Sequence, residues 1–169
     1  MSANPQLQFL QRKIEEIGSA IFFNLSDSVL KLPTSIVNTL KVDDFGYVWF
    51  FVKKPQQHVK ELEPEFPARL DFFKKGVSHF LQIMGKGWVV TDPEQISTFI
   101  SFTGDEIRDI PFDEYVLVKV KMLKAEYYET QSSTKTTWWQ NAMNTIFTWF
   151  NNNNNSYGPT TYFPASQNL

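Results

Sequence analysis

The chain contains no cysteine, which removes disulfides, thiolate metal sites and cysteine nucleophiles together. Histidine occurs only at His58 and His79, with no carboxylate at a repeating ligand spacing, so no metal site is predicted. Arginine is confined to Arg12, Arg69 and Arg108, and 16 basic against 18 acidic residues leave a net charge of −2. No large positive field is therefore present to hold nucleic acid. No stretch approaches the roughly 18 apolar residues of a membrane span, and the opening MSANPQLQFLQRK lacks the continuous apolar core of a signal peptide. The expectation is a soluble protein of the reducing cytoplasm, in which the glycosylation patterns at Asn24-Leu25-Ser26 and Asn154-Asn155-Ser156 carry little meaning. A Gly-x-Ser-x-Gly elbow is absent too, and Gly85 and Gly87 lack the third glycine and the strand-to-helix setting of a dinucleotide fingerprint.

What is present is apolar and aromatic. Of 169 residues, 42% are hydrophobic and 16% aromatic, enough for one domain with a sizeable core. That domain is expected to occupy residues 1–150. Residues 151–169, opened by a run of five asparagines, read as a low-complexity, mobile tail.

The run from Tyr47 to Val52 is unbroken, short and rich in strand formers, and so predicts a strand buried on both faces. Lys53 and Lys54 follow at once, Pro55 marks a turn, and Gln56 to Leu62 resumes with helical spacing. A strand ending in two cations before a helix N-terminus suits a phosphate; a solvated strand edge accounts for the same lysines.

Around this run the pattern is mostly strands. Leu7, Leu10, Ile14 and Ile17 predict a helix over 5–17, ended by Gly18. Strands follow at 19–25 and 33–40, joined by the turn residues Ser26-Asp27-Ser28, and Asp43-Asp44-Phe45-Gly46 turns the second into the buried run. Residues 63–67 carry two prolines and read as a breaker before a strand at 68–74. Strands at 78–90 and 115–128 are the longest. Gly85 and Gly87 within the first mark a bend of a barrel or a close backbone approach, and the second alternates Val116, Val118, Val120 and Met122 with an outward polar face. Asp92-Pro93 opens a helix running to about residue 102, and Trp139, Met143, Ile146 and Phe150 predict a last helix over 138–150, with Trp138 and Trp139 docking it. The sum is a mainly β protein: a six-stranded antiparallel split β-barrel of Greek-key type with peripheral helices.

Four stretches resemble a known family. Pro33-Thr34 stands where its members have an Arg-Pro-Met segment; Val48-Trp49-Phe50-Phe51 matches its Ile-Trp-Phe-Phe strand. Gly85 to Glu94, GKGWVVTDPE, is similar to its Gly-Arg-Ala-Glu-Val-Val-x-Asp-Pro-Glu, and Ala125-Glu126-Tyr127-Tyr128-Glu129 to its Ala-Glu-Tyr-Trp-Asp. In order and spacing, over residues 5–150, the chain resembles the flavin mononucleotide (FMN)-binding split-barrel proteins, in the general stress protein branch related to pyridoxamine 5′-phosphate oxidase.

The resemblance implies a homodimer with FMN in a groove between subunits. It places the phosphate contacts on Lys53, Lys54, Gln56 and His58. The flat apolar slot with a few hydrogen-bond donors that the ring needs is offered by Thr34, Ser35 and Ile36 beside Trp49 to Val52, Phe51 and Val52 among them; a packed barrel core accounts for the same aromatics equally well. The chain departs from the pattern at Leu32, where the family has arginine, at Gln56, where it has serine or threonine, and at His58, where it has lysine. Lys31 is the nearest replacement for the lost arginine. Two functions follow: an FMN-dependent oxidoreductase whose substrate no residue identifies, or a non-catalytic dimeric stress protein with a degenerate flavin site.

Overall fold

The computed structural model describes residues 4–55, 62–104, 107, 110–111, 113–130, 142–148 and 160–161. Helix α1 (Pro5–Ile17) starts where Asn4 accepts hydrogen bonds from the N–H groups of Gln6 and Leu7 at 3.0 and 3.4 Å, with Pro5 at the position that needs no donor. It stops at Gly18, whose left-handed backbone (φ 78°) lets its N–H reach the Ile14 carbonyl at 2.7 Å. The stripe Leu7, Leu10, Ile14 and Ile17 is buried, as its spacing predicts.

Strands β1 (Ser19–Asn24), β2 (Ser35–Val42) and β3 (Tyr47–Lys53) form a meander. β4 (Glu65–Phe72) returns to lie beside β1, and β5 (His79–Val90) and β6 (Tyr115–Thr130) continue the sheet. β6 then pairs with β3, closing the order β3-β2-β1-β4-β5-β6 into a six-stranded antiparallel barrel. The fourth strand lying beside the first is the Greek-key connection.

Alternation decides what fills it. Val48, Phe50 and Val52 point inwards from β3 with Phe22, Phe66 and Leu70, and Phe22 packs its ring 5.2 Å from Phe50 and 6.1 Å from Phe66. Trp49 and Phe51 face out and are covered by helix α2 (Pro93–Thr103), where Phe99 stacks on Trp49 at 4.8 Å. This corrects the expectation that the outer face of β6 is polar: Leu117 lies under α2 with Val90 and Ile107 and is nearly inaccessible.

α1 caps one end of the barrel. Gln11 donates to the carbonyls of Val42 and Asp43 at 3.2 and 3.3 Å, and Leu7 sits over Gly46 in the turn between β2 and β3. At the opposite end β1, β3 and β5 finish and β2, β4 and β6 begin.

Gly85 and Gly87 answer to both readings of the sequence. The β5–β6 register shifts between Met84 and Gly85, leaving Leu123 unmatched, so that the inward set on β6 changes from Val120 and Met122 to Ala125 and Tyr127. A side chain at Gly85 would stand 2.0 Å from the Lys121 carbonyl oxygen, and one at Gly87 2.4 Å from the Phe66 ring.

Two expectations fail here. Pro67 lies within β4 rather than in a breaker: its carbonyl accepts from Leu25 at 2.8 Å just beyond the last β1–β4 pair, so its missing donor falls where that ladder ends. The helix over 138–150 is replaced, over its described part, by strand β7 (Ala142–Thr148) paired with the second half of β6, and Thr160–Thr161 add a short β8. Beyond Lys121, β6 has left β3 behind and presents unpaired backbone groups, which a segment containing Thr145, Ile146, Phe147 and Thr148 is well suited to satisfy. The helix expected at 56–62 lies, but for Leu62, outside the described residues, as does most of the tail.

Gly85→Ala should lower stability by about 1–3 kcal/mol, since the new methyl meets backbone that cannot swing aside, whereas Lys74→Ala on the surface should change it little. Urea unfolding midpoints check both; equal midpoints would show that the bulge does not require glycine.

Candidate functional site

β2 is shared between two neighbours. Its first half, Ser35 to Asn38, pairs with β1, and its pairing with β3 starts only at Thr39 opposite Phe50. The last residues of β3, Phe51, Val52 and Lys53, pair on the other side with Leu117, Val116 and Tyr115 of β6. From Thr39 to the open end of the barrel, therefore, β2 and β3 part.

The residues predicted from the sequence border this parting. Thr34 and Ile36 are exposed on the β2 side, Ile36 at 81%, and Ser35 is half-buried with its hydroxyl donating to the Pro33 carbonyl at 3.2 Å. On the β3 side Phe51 is half-buried, Val52 faces the core, Lys53 is exposed and Lys54 half-buried. The Lys54 N–H donates to the Glu114 carbonyl at 2.7 Å, which extends the β3–β6 ladder by one bond and fixes where its side chain departs. Among the described residues no carboxylate pairs with either ammonium. Gln56 and His58 lie outside the described residues.

The family's arginine position is differently used. Leu32 is 2% exposed and belongs to the barrel core. Lys31 does not stand free to replace the arginine, because its ammonium donates to the Ser26 carbonyl at 2.8 Å. Among the described residues, the permanent charge at this end of the barrel that is not engaged elsewhere is that of Lys53 and Lys54, which fits a phosphate through two cations.

A cavity of about 630 Å³ opens at the same end. Val89, Val90, Val116, Leu117 and Ile96 form its apolar wall, and Lys54, Tyr115, Thr91 and Glu63 carry its polar groups. The Glu63 carboxylate accepts a short hydrogen bond from the Ser26 hydroxyl. Its volume lies within the range of small-molecule sites, which gather at barrel mouths. Sequence reasoning missed Tyr115, Glu63 and Ile96, since only the meeting of strand ends brings them to Lys54.

A second depression, about 540 Å³, lies between α2 and the β2–β3 turn, with Asp43, Asp44, Asp92 and Glu94 against Lys41. Asp43 is spent on structure: it accepts from the N–H groups of Phe45 and Tyr47 at 3.0 and 2.9 Å and from the Trp49 indole at 2.9 Å. Its sign disfavours an anion, so the two depressions differ in what they can hold.

No protein-family model matches the chain, and no curated protein does. Solved structures with this fold do. A protein from Clostridium acetobutylicum related to general stress protein 26, of the pyridoxinephosphate oxidase family, superposes with a TM-score of 0.58 at 13% identity, over 85% of this chain and 94% of that one. A general stress FMN/FAD-binding protein from Xanthomonas citri gives 0.53 at 19%, over 78% and 93%. A pyridoxamine 5′-phosphate oxidase-related, FMN-binding protein from Nostoc punctiforme gives 0.57 at 8%, over 95% and 94%. At these identities the likeness is one of fold. It falls on the same group of proteins as the resemblance in the sequence.

Leu32→Ala should cost about 2–5 kcal/mol, the usual range for a truncated core leucine. Chemical denaturation checks it, and a loss near zero would mean that position 32 faces the ligand end instead of the core.

Proposed function

We propose that the chain is an FMN-binding split-barrel protein, working as a homodimer. The phosphate lies at the end of β3 on Lys53 and Lys54, with Gln56 and His58 following in sequence. The ring lies along the parting of β2 and β3, beside Thr34, Ser35 and Ile36, with Phe51 and Val52 behind it. The observation that carries this reading is the juxtaposition of two lysines that have no carboxylate partner among the described residues with an opened strand pair, in a fold shared with FMN-binding proteins.

When bound, the flavin supplies redox chemistry at its ring, while the chain contributes position and charge. An isoalloxazine is flat and apolar with polar edges. The parted strands offer it backbone groups on the β2 side that β3 does not use, and an apolar Ile36 side chain. A second subunit supplies the other wall. Ile36 at 81% and Val29 at 95% exposure are apolar groups that an isolated barrel leaves in water.

Lys53→Ala with Lys54→Ala should weaken FMN binding at least about tenfold, because one charge-assisted contact is worth about 1.5–3 kcal/mol, and more than His58→Ala does. Quenching of flavin fluorescence on titration measures this. An unchanged dissociation constant in the double variant would remove the phosphate assignment. Sedimentation at micromolar concentration should show a dimer, and a monomer would remove the two-walled groove.

A further inference from the structure

We propose that the cavity beside Lys54 is a second small-molecule site, which takes an organic acid with an apolar body. It adjoins the phosphate position argued above but does not need flavin, so it stands or falls separately.

Volume and lining set the body of the ligand. At about 630 Å³ the cavity exceeds what a stray water or ion requires. Its wall is made by strand ends and by Ile96 of α2, with Val90 and Leu117 almost wholly withdrawn from water and Val89 and Ile96 half-exposed. Water against such a wall is displaced favourably by hydrocarbon.

The polar groups set its head. Lys54 is half-buried, is anchored through its N–H on Glu114, and has no described carboxylate partner. A carboxylate or sulfonate on this ammonium would satisfy it, with the Tyr115 hydroxyl on the same wall as a further donor. An ammonium carries three donors, so Lys54 can serve both this site and the neighbouring phosphate.

Glu63 weakens the pull on an anion. Its carboxylate, turned to the Ser26 hydroxyl, remains in the cavity wall. Opposed to the one cation, that anion reduces the attraction for any anion and leaves the ligand's apolar body to supply the rest of the affinity. The acidic depression beneath α2, with four carboxylates and Lys41, has the wrong sign for this ligand.

The test uses the full chain freed of flavin, with 1-anilinonaphthalene-8-sulfonate as a fluorescent probe and decanoate and 1-decanol as competitors. Saturable binding of one probe per chain is expected, displaced by decanoate at least about tenfold more effectively than by decanol. Lys54→Ala should weaken probe binding about tenfold, and Ile96→Trp, which fills the cavity, should abolish it, with both variants keeping the unfolding midpoint within the range of Lys74→Ala. Equal competition by decanol would overturn the anionic head group. Probe binding untouched by Ile96→Trp would overturn the location. If Ile96→Trp abolished FMN binding along with the probe, the cavity would be the flavin's own pocket, and the second site would be overturned while the flavin reading stood. Loss of FMN binding in Lys53→Ala with probe binding intact would support two sites.

Discussion

The ladder between β3 and β6 is the interaction on which the rest of the structure depends. It runs from Tyr47 opposite Lys121 to Lys53 opposite Tyr115 and turns an open sheet into a barrel. Closure pairs one edge of β3 along its whole length, from Tyr47 to Lys53, which holds so apolar a strand in place in a small protein. It also sorts side chains. Val48, Phe50 and Val52 meet Phe22 and Leu70 in the core, while Trp49 and Phe51 go outside under α2. Because the ladder continues one bond further, from the Lys54 N–H to Glu114, it delivers two lysines to the open end at a fixed place.

Closure also explains why a site can exist there. A strand has two edges, and the last residues of β3 give one to β6, while on the other side β2 does not pair with them, because at that level it turns to β1. The other end of the barrel has no such freedom: α1 fills it with Leu10 and Ile14, and Gln11 ties the helix to the end of β2. The two ends thus have different tasks, one stability and the other access.

The fold was legible because its signals are local and repeated. The unbroken run of β3, the alternation in β5 and β6, the Asp92-Pro93 start and the Gly18 stop each need only a few neighbouring residues. What was missed depends on residues far apart in sequence. Pro67 is tolerated in β4 only because β1 ends opposite it. The stretch around Thr145 has helical spacing, yet becomes a strand because β6 outruns β3 and offers it an edge. Leu117 reads as an outward position, and only α2 makes it core. For the site, the chain order disclosed Lys53 and Lys54 next to a buried strand, but not that Lys31 is engaged by Ser26, nor that Tyr115, Glu63 and Ile96 meet at one cavity. Those depend on which strand ends converge.

The central claim is that the end of the barrel where β2 and β3 part is the ligand end. Amide hydrogen exchange of the full chain with and without FMN tests it most directly, because backbone covered by a ligand exchanges more slowly. The account predicts slowed exchange over residues 34–38 and 51–54, with the β2–β3 turn at 43–46 and helix α1 unchanged. Protection confined to the turn and α1, with none along the parted strands, would contradict it.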